Sequence, residues 1–382
     1  LPLPQSTKPV ALVEDFEDNK SEMTGKIRDF FLPGSREEYL FCCGDAAEDL
    51  RGFPDQSVHC CITSPPYWSQ RKYAGGGALG HEPSVEEYVQ HLCQIFQRLK
   101  RVLRDDGSLW LNIGDTYRSK NLMGIPWRVA LALQEDGWIL RNAIVWDKVK
   151  GNPCNAKDKL RNVYEHIFHF VKQEQYYYDL DAVRTPPRQP SYKNGQVVTP
   201  TGVSGIKYRQ QILSSTELNE EEKRDALAAL EEALGKVASG EMPDFRMIIR
   251  GTQRSTHSDS PEFSGRANEL QKRGFCVLPY HKQGTKPGDV WRIIPEDEWR
   301  KDSHFAVFPK ELCELPIKAT CPPGGIVLDI FAGTGTTIGA ALELGRRGIG
   351  IEISQEYVDV ARSRVDAFMK ERKYRDAQLS LI

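Results

Sequence analysis

Residues 326–337, Ile-Val-Leu-Asp-Ile-Phe-Ala-Gly-Thr-Gly-Thr-Thr, constrain this chain more than any other stretch. Ile326–Ile330 reads as a strand buried on both faces, Gly333 and Gly335 as a sharp turn, and Thr336–Leu344 as the helix leaving it. A strand with no polar face belongs in a parallel sheet that carries helices on either side. The strand after it, Gly348–Ile351, delivers Glu352 to its carboxyl end, where a carboxylate can accept both hydroxyls of a ribose.

Strand and helix patterns alternate over most of the remaining chain. Strands are expected at Glu38–Cys43, Ser57–Thr63, Gly107–Ile113 and Trp138–Trp146. Helices are expected at Ala46–Phe53, Ser84–Arg104, Pro126–Glu135, Pro309–Thr320 and Gln355–Lys370, the second opened by Ser84 and Glu87 as a capping box. The fold class is therefore α/β, with a mostly parallel sheet and helices on both faces. Residues 1–37, polar and mixed in charge, read as an N-terminal arm. Residues 38–181 and 301–382 form two halves of one domain, and 182–300, rich in Gly, Pro, Ser, Thr and Gln, reads as an irregular insertion or second lobe. Its one strong helix is Glu217–Val237, with Leu227, Leu230, Leu234 and Val237 as the apolar stripe.

Two features of the glycine loop argue against a nicotinamide dinucleotide. The third glycine of G-x-G-x-x-G is missing, since Thr336, Thr337 and Ile338 follow Gly335. Asp329 precedes the loop, and its charge would repel a pyrophosphate while attracting an amino group and a sulfonium. The reading is S-adenosylmethionine, with Asp329 near the methionyl ammonium, Glu352 on the ribose, and Phe331, Gly333, Thr334, Gly335, Thr336 and Thr337 forming the loop around it.

A second motif ends the strand Ser57–Thr63: Ser64-Pro65-Pro66-Tyr67, followed by Trp68. Two prolines in series cannot continue a ladder, so the Pro65 carbonyl is released from strand duty. A hydroxyl, a rigid carbonyl and an aromatic pair together suit the exocyclic amino group of a flat base. A rigid turn with an aromatic plug is the plain structural alternative. Asp45 either lines the same pocket or caps the short helix that follows it.

These two motifs resemble those of the amino-group DNA methyltransferases. The tetrapeptide comes first, an irregular basic segment follows, and Phe331-Ala-Gly-Thr-Gly335 comes last, which is the order of the β-class enzymes. Gly44-Asp45-Ala46, Gly107–Asp115, Gly124–Arg128 and His304–Leu312 resemble further family segments, whereas Ile330 stands where the family often has Pro. The resemblance implies a Rossmann-like, S-adenosylmethionine-dependent methyltransferase fold with an inserted target-recognition region. It implies methylation of a flipped base in double-stranded DNA, and S-P-P-Y is typical of enzymes acting on N4 of cytosine. Ser64 Oγ and the Pro65 carbonyl would then accept the N4–H groups, with Pro66 stiffening the turn and Tyr67 and Trp68 stacking on the base. N6-adenine methylation by the same pocket, and an inactive DNA-binding relative, are the rival readings. A cytosine-C5 enzyme would need a nucleophilic Cys after Pro; Pro153-Cys154 offers that dipeptide, but in a turn and not at a strand end.

Charge supports a polyanion without requiring one. The net charge is −2, yet Arg246–Arg292 carries nine Lys and Arg against four Asp and Glu. Arg246, Arg250, Arg254, Arg266, Lys272 and Arg273 are its candidate phosphate contacts. Arg141–Arg161, with Lys148, Lys150, Lys157 and Lys159, is a second basic wall. The nine cysteines include the pairs Cys42-Cys43 and Cys60-Cys61 but no C-x-x-C, so they read as small buried hydrophobes with no metal set. No apolar run reaches membrane-span length. The start, Leu-Pro-Leu-Pro-Gln, lacks an initiator Met and a signal peptide's core, as a processed or excised piece would. Expected partners are double-stranded DNA and a cognate restriction endonuclease, inside the cell and away from membranes.

Overall fold

The computed structural model describes residues 23–69, 79–150, 155–187, 191–193, 196–198, 205–251, 265–295 and 309–379. In chain order the strands of the first half are β1 (Tyr39–Cys43), β2 (Val58–Thr63), β3 (Leu103–Ile113), β4 (Tyr117–Arg118), β5 (Asn121–Leu122), β6 (Ile139–Asp147) and β7 (Tyr164–Val171). Then come β8 (Ser191–Lys193), β9 (Gln196–Val198), β10 (Phe245–Ile249), β11 (Phe275–Pro279), β12 (Val290–Arg292), β13 (Ile326–Asp329) and β14 (Arg347–Glu352). The helices are α1 over 23–31, α2 (Ala46–Asp49), α3 (Val85–Val102), α4 (Ile125–Glu135), α5 (Gly205–Ser214), α6 (Glu220–Ala238), α7 (Gly265–Arg273), α8 (Glu311–Thr320), α9 (Thr336–Glu343) and α10 (Gln355–Leu379).

Eight strands form one sheet in the order β1-β14-β13-β2-β3-β7-β6-β12. Five of them, β1, β14, β13, β2 and β3, run parallel; β7 is antiparallel to both neighbours, and β6 and β12 return to the common direction. The expected mostly parallel sheet is what forms. Neither β7 nor β12 was expected. Glu165, His166 and His169 interrupt the apolar pattern of β7, and β12 is too short to show a period.

Alternation along the strands feeds two cores. Cys61, Leu109, Leu111 and Leu328 join one face, while Cys60, Trp110 and Val327 join the other. The first face is covered by α3 and α4. Along α3, Tyr88, Leu92, Phe96 and Leu99 are fully buried at helical spacing, each contributing about 1.5–3 kcal/mol on burial. The second face is covered by α8 and α9, through Leu312, Cys313, Ile317, Ala340 and Ala341. The adjacent cysteines therefore split between faces, and the eight cysteines of the described residues are all free. Burial pushes the Cys60 thiol up to about 12, so it stays protonated.

One expectation about organisation needs correction. The stretch 23–31, read as part of a polar arm, is helical and buries Ile27 and Phe30 in the first core. Its apolar residues are too few to show a pattern until the sheet supplies their partner surface. Within the region read as an irregular insertion or second lobe, Val183–Pro287 is a compact unit, with the remainder of the chain forming the other. That unit packs α5 and α6 against the β10–β11 hairpin around Tyr208, Ile212, Leu230, Val237, Phe245 and Phe275. The apolar stripe expected on Glu217–Val237 faces this core, whereas the loop-rich composition hid the strands that complete it. Among the described residues no helix is long and apolar enough to cross a membrane, and no acid, His and Cys group could hold a metal ion.

Candidate active site

Strand direction brings the two motifs together. β13 and β2 are parallel neighbours, with Val327 opposite Cys60 and Leu328 opposite Cys61. Their carboxyl ends therefore open on one edge, where open α/β sheets hold ligands. Thr63 Oγ1, the last residue of β2, donates to Asp329 Oδ1 at 2.7 Å and ties the two ends directly.

Asp329 is 1% exposed and accepts two further bonds, from Thr337 Oγ1 at 2.7 Å and Phe331 N at 3.1 Å. Burial, only partly offset by these donors, pushes its carboxyl up to about 6. The loop after it turns through Gly333 (φ 50°) and Gly335 (φ 80°), both in the left-handed region. Glu352, at the end of β14, grips the loop from below: its Oε2 accepts Gly333 N at 2.9 Å and its Oε1 accepts Ser354 N at 2.9 Å. Burial raises the Glu352 carboxyl above the ordinary range, partly offset by these backbone donors.

This loop fits a cofactor on its own observations. A methyl group on Gly333 would meet nothing within 4 Å, so the backbone there faces open space. At Gly335 the same test gives contacts of 2.9 Å to Phe41 and 3.0 Å to Ala361, so the loop is pressed onto its support. The Thr336 hydroxyl is buried without a partner among the described residues, and a buried polar orphan marks the place of a ligand or water. Two expected loop contacts are corrected. Thr334 has its carbonyl and hydroxyl held by Arg364 of α10, at 2.7 and 2.6 Å, and Thr337 is spent on Asp329. In both, the side-chain hydroxyl is used in building the loop.

At the end of β2 the prolines do what their chemistry dictates. Tyr88 Oη donates to the Pro66 carbonyl at 2.8 Å, while no described residue donates to the Pro65 carbonyl. Ser64 Oγ accepts from Asn112 Nδ2 at 3.3 Å and donates to Tyr67 Oη at 3.2 Å, which leaves it one lone pair. The Tyr67 hydroxyl donates in turn to Glu165 Oε2 at 2.8 Å and receives Asn112 Nδ2 at 3.0 Å. Asn112 Nδ2 also reaches Glu165 Oε2 at 3.1 Å, and Lys148 pairs with Glu165 Oε1. Burial and the Glu165 charge hold the Tyr67 phenol well above its usual range, so it is neutral. The Asn112 carbonyl oxygen is buried without a partner among the described residues.

Sequence reasoning missed Asn112 and Glu165, and gave Lys148 only as part of a basic wall. The only signal was a polar residue in an apolar strand, Leu-Trp-Leu-Asn112-Ile, and a carboxylate opening Tyr-Glu165-His-Ile-Phe. Their convergence depends on pairing of β3 with β7, which places Asn112 opposite Ile167 and leaves the carboxylate two residues along.

Other expected residues take plainer roles. Trp68 is 2% exposed, with its indole N–H on the Glu82 carbonyl at 3.0 Å, so it belongs to the core and offers no face to a base. Asp45 caps α2, its Oδ1 accepting Ala47 N at 2.8 Å and Glu48 N at 3.2 Å, the second of the two readings open for it. Arg250 is clamped inside the second unit, on Glu222 at 2.7 Å and on the Glu217 carbonyl at 2.6 Å, so it is structural and not a phosphate contact. Arg246, Lys272 and Arg273 are exposed, Arg273 lying over Phe275; Arg266 is half-buried, and Arg254 lies outside the described residues. In the second basic wall, Arg141 sits at the start of β6 against Tyr176, at the sheet edge opposite Lys148. Lys157, Lys159 and Arg161 are exposed, and Lys159 lies over Tyr117 of β4 at 3.7 Å. Cys154 and His304 lie outside the described residues.

Comparison with known proteins agrees with this geometry. Residues 58–363 match the N6/N4 methyltransferase family, described as DNA methylase. The chain is 32% identical to the type II methyltransferase M.SfiI of Streptomyces fimbriatus, covering 93% of this chain and 95% of that one. It is 28% identical to M.SmaI of Serratia marcescens, over 84% of this chain and 89% of that one. In fold it resembles a solved PvuII DNA methyltransferase, described as cytosine-N4-specific, with a TM-score of 0.52, 17% identity, and coverage of 86% of this chain and 88% of that one. A sheet that delivers an S-P-P-Y elbow and an S-adenosylmethionine loop to one edge, in that order along the chain, thus places this protein among the β-class amino-group DNA methyltransferases, enzymes that depend on S-adenosylmethionine.

Proposed function

We propose that this enzyme methylates the exocyclic N4 of a flipped cytosine in double-stranded DNA, as the modification partner of a restriction endonuclease inside the cell. The observation that carries the reading is the Pro65 carbonyl, free of donors among the described residues, beside the remaining lone pair of Ser64 Oγ, at the strand end next to the glycine loop. Both accept an N–H of the amine, which turns its lone pair out of conjugation with the ring. The unpartnered Asn112 oxygen supplies a further acceptor in the same pocket. Asp329 and Glu352 hold the ammonium and ribose of S-adenosylmethionine, which supplies an electrophilic methyl group. S-P-P-Y and the cytosine-N4 specificity of the PvuII enzyme favour cytosine over adenine.

The test is methylation of unmodified DNA of mixed sequence, digestion to nucleosides, and separation by liquid chromatography with mass spectrometry. N4-methylcytosine is expected; N6-methyladenine would replace the base assignment, and 5-methylcytosine would refute the mechanism. Ser64→Ala and Pro65→Ala should each abolish product while cofactor affinity stays within about twofold.

A further inference from the structure

An amine that has gained a methyl group carries one proton too many, and this active site contains a path for it. We propose that Ser64, Tyr67 and Glu165 form a proton relay that carries the proton from the methylated amine out to Glu165. The inference rests on the amino-group reading above and adds residues that reading does not need.

The path is continuous in the direction required. Ser64 Oγ donates to Tyr67 Oη at 3.2 Å, and Tyr67 Oη donates to Glu165 Oε2 at 2.8 Å. The methylated nitrogen breaks its N–H bond and keeps the electron pair. Ser64 Oγ takes that proton and releases its own to Tyr67 Oη, which releases its own to Glu165 Oε2. Each hydroxyl ends as it began with one proton, the amine ends neutral, and one carboxylate becomes a carboxylic acid. Tyr67 is held neutral, as a conduit must be, since a tyrosinate would stop the chain by keeping the proton.

The surrounding groups keep the wire aligned. Asn112 Nδ2 lies 3.0 Å from Tyr67 Oη, 3.1 Å from Glu165 Oε2 and 3.3 Å from Ser64 Oγ, and its two N–H bonds, shared among these three oxygens, meet them as acceptors without breaking the order of O–H donors. Gly114 gives the Tyr67 ring its seat: a Cβ there would lie 2.6 Å from the ring. The charged and titratable groups facing the wire are Glu165 and Lys148, with Tyr88 at the Pro66 carbonyl. Lys148 has 26% of its side chain exposed and Glu165 15%, so the pair stands between the buried hydroxyls and water, where the proton leaves.

Single-turnover methylation of unmodified mixed-sequence DNA from pH 6 to 9 tests this, with S-adenosylmethionine affinity measured separately by calorimetry. Tyr67→Phe should slow transfer about 10²-fold at pH 7 and recover toward wild type as hydroxide rises. Glu165→Gln keeps a hydrogen-bond acceptor for the phenol but cannot take a proton, and should show the same pH-dependent loss; Glu165→Asp should restore most of the rate. Cofactor affinity should be unchanged in all three. A normal rate in Glu165→Gln, or losses that do not vary with pH, would overturn the relay. If wild type forms no methylated amino base at all, the amino-group reading falls instead, and the two failures are distinguishable.

Discussion

Replacing Asp329 by Asn should stabilise the cofactor-free protein at alkaline pH while weakening its hold on S-adenosylmethionine. The carboxyl is 1% exposed and pushed up to about 6 from 3.8 by burial. A shift of about two units corresponds to roughly 3 kcal/mol between the charged and neutral forms. The sign follows from proton binding. Between about pH 4 and 6 the folded state holds the proton and the unfolded state does not, so stability is highest below 3.8 and is lost as pH rises through 6. Asn carries no such penalty. Its oxygen retains the Thr63 and Phe331 donors, while its amide group faces Thr337, a loss of about 1 kcal/mol. The net effect is near zero at pH 4.5 and about 2 kcal/mol stabilising at pH 8. Glu352 is present in both proteins and cancels. Urea unfolding of both proteins at the two pH values, without cofactor, measures this directly. Calorimetry at pH 8 should show cofactor binding weakened by about 10–100-fold, the worth of a hydrogen bond to a charged group. A stability difference that does not change with pH would refute the buried-carboxylate argument, and unchanged affinity would refute the ammonium assignment.

Three further substitutions separate structure from chemistry elsewhere. Gly114→Ala places a methyl group 2.6 Å from the Tyr67 ring and should slow methyl transfer at least tenfold with cofactor affinity intact, as read by single-turnover assay and titration. In the second unit, Arg250→Ala removes the clamp on Glu222 and the Glu217 carbonyl, so it should raise protease sensitivity within 183–287 by about 2 kcal/mol of lost local stability. Lys272→Ala, at an exposed position, should leave proteolysis unchanged and reduce the salt dependence of DNA binding by about one ion, seen as a shallower plot of log affinity against log salt.

Much of this protein was determined by its sequence alone, because the features concerned are local. A strand buried on both faces, a turn through two glycines and an acid at the next strand's end are each set within a dozen residues, and β13, α9 and β14 form where periodicity and backbone chemistry require. The proline-locked elbow is equally local, and so is the order of the motifs. Only the tertiary structure decided which oxygens are free. Trp68 beside an exposed-looking motif turned out to be core, Thr334 and Thr337 were consumed by Arg364 and Asp329, and Arg250 by Glu222. Hydrogen-bond partners separated by 98 residues, as Tyr67 and Glu165 are, leave no periodic trace in the chain. They meet because β7 runs antiparallel beside β3, and that pairing depends on the whole sheet.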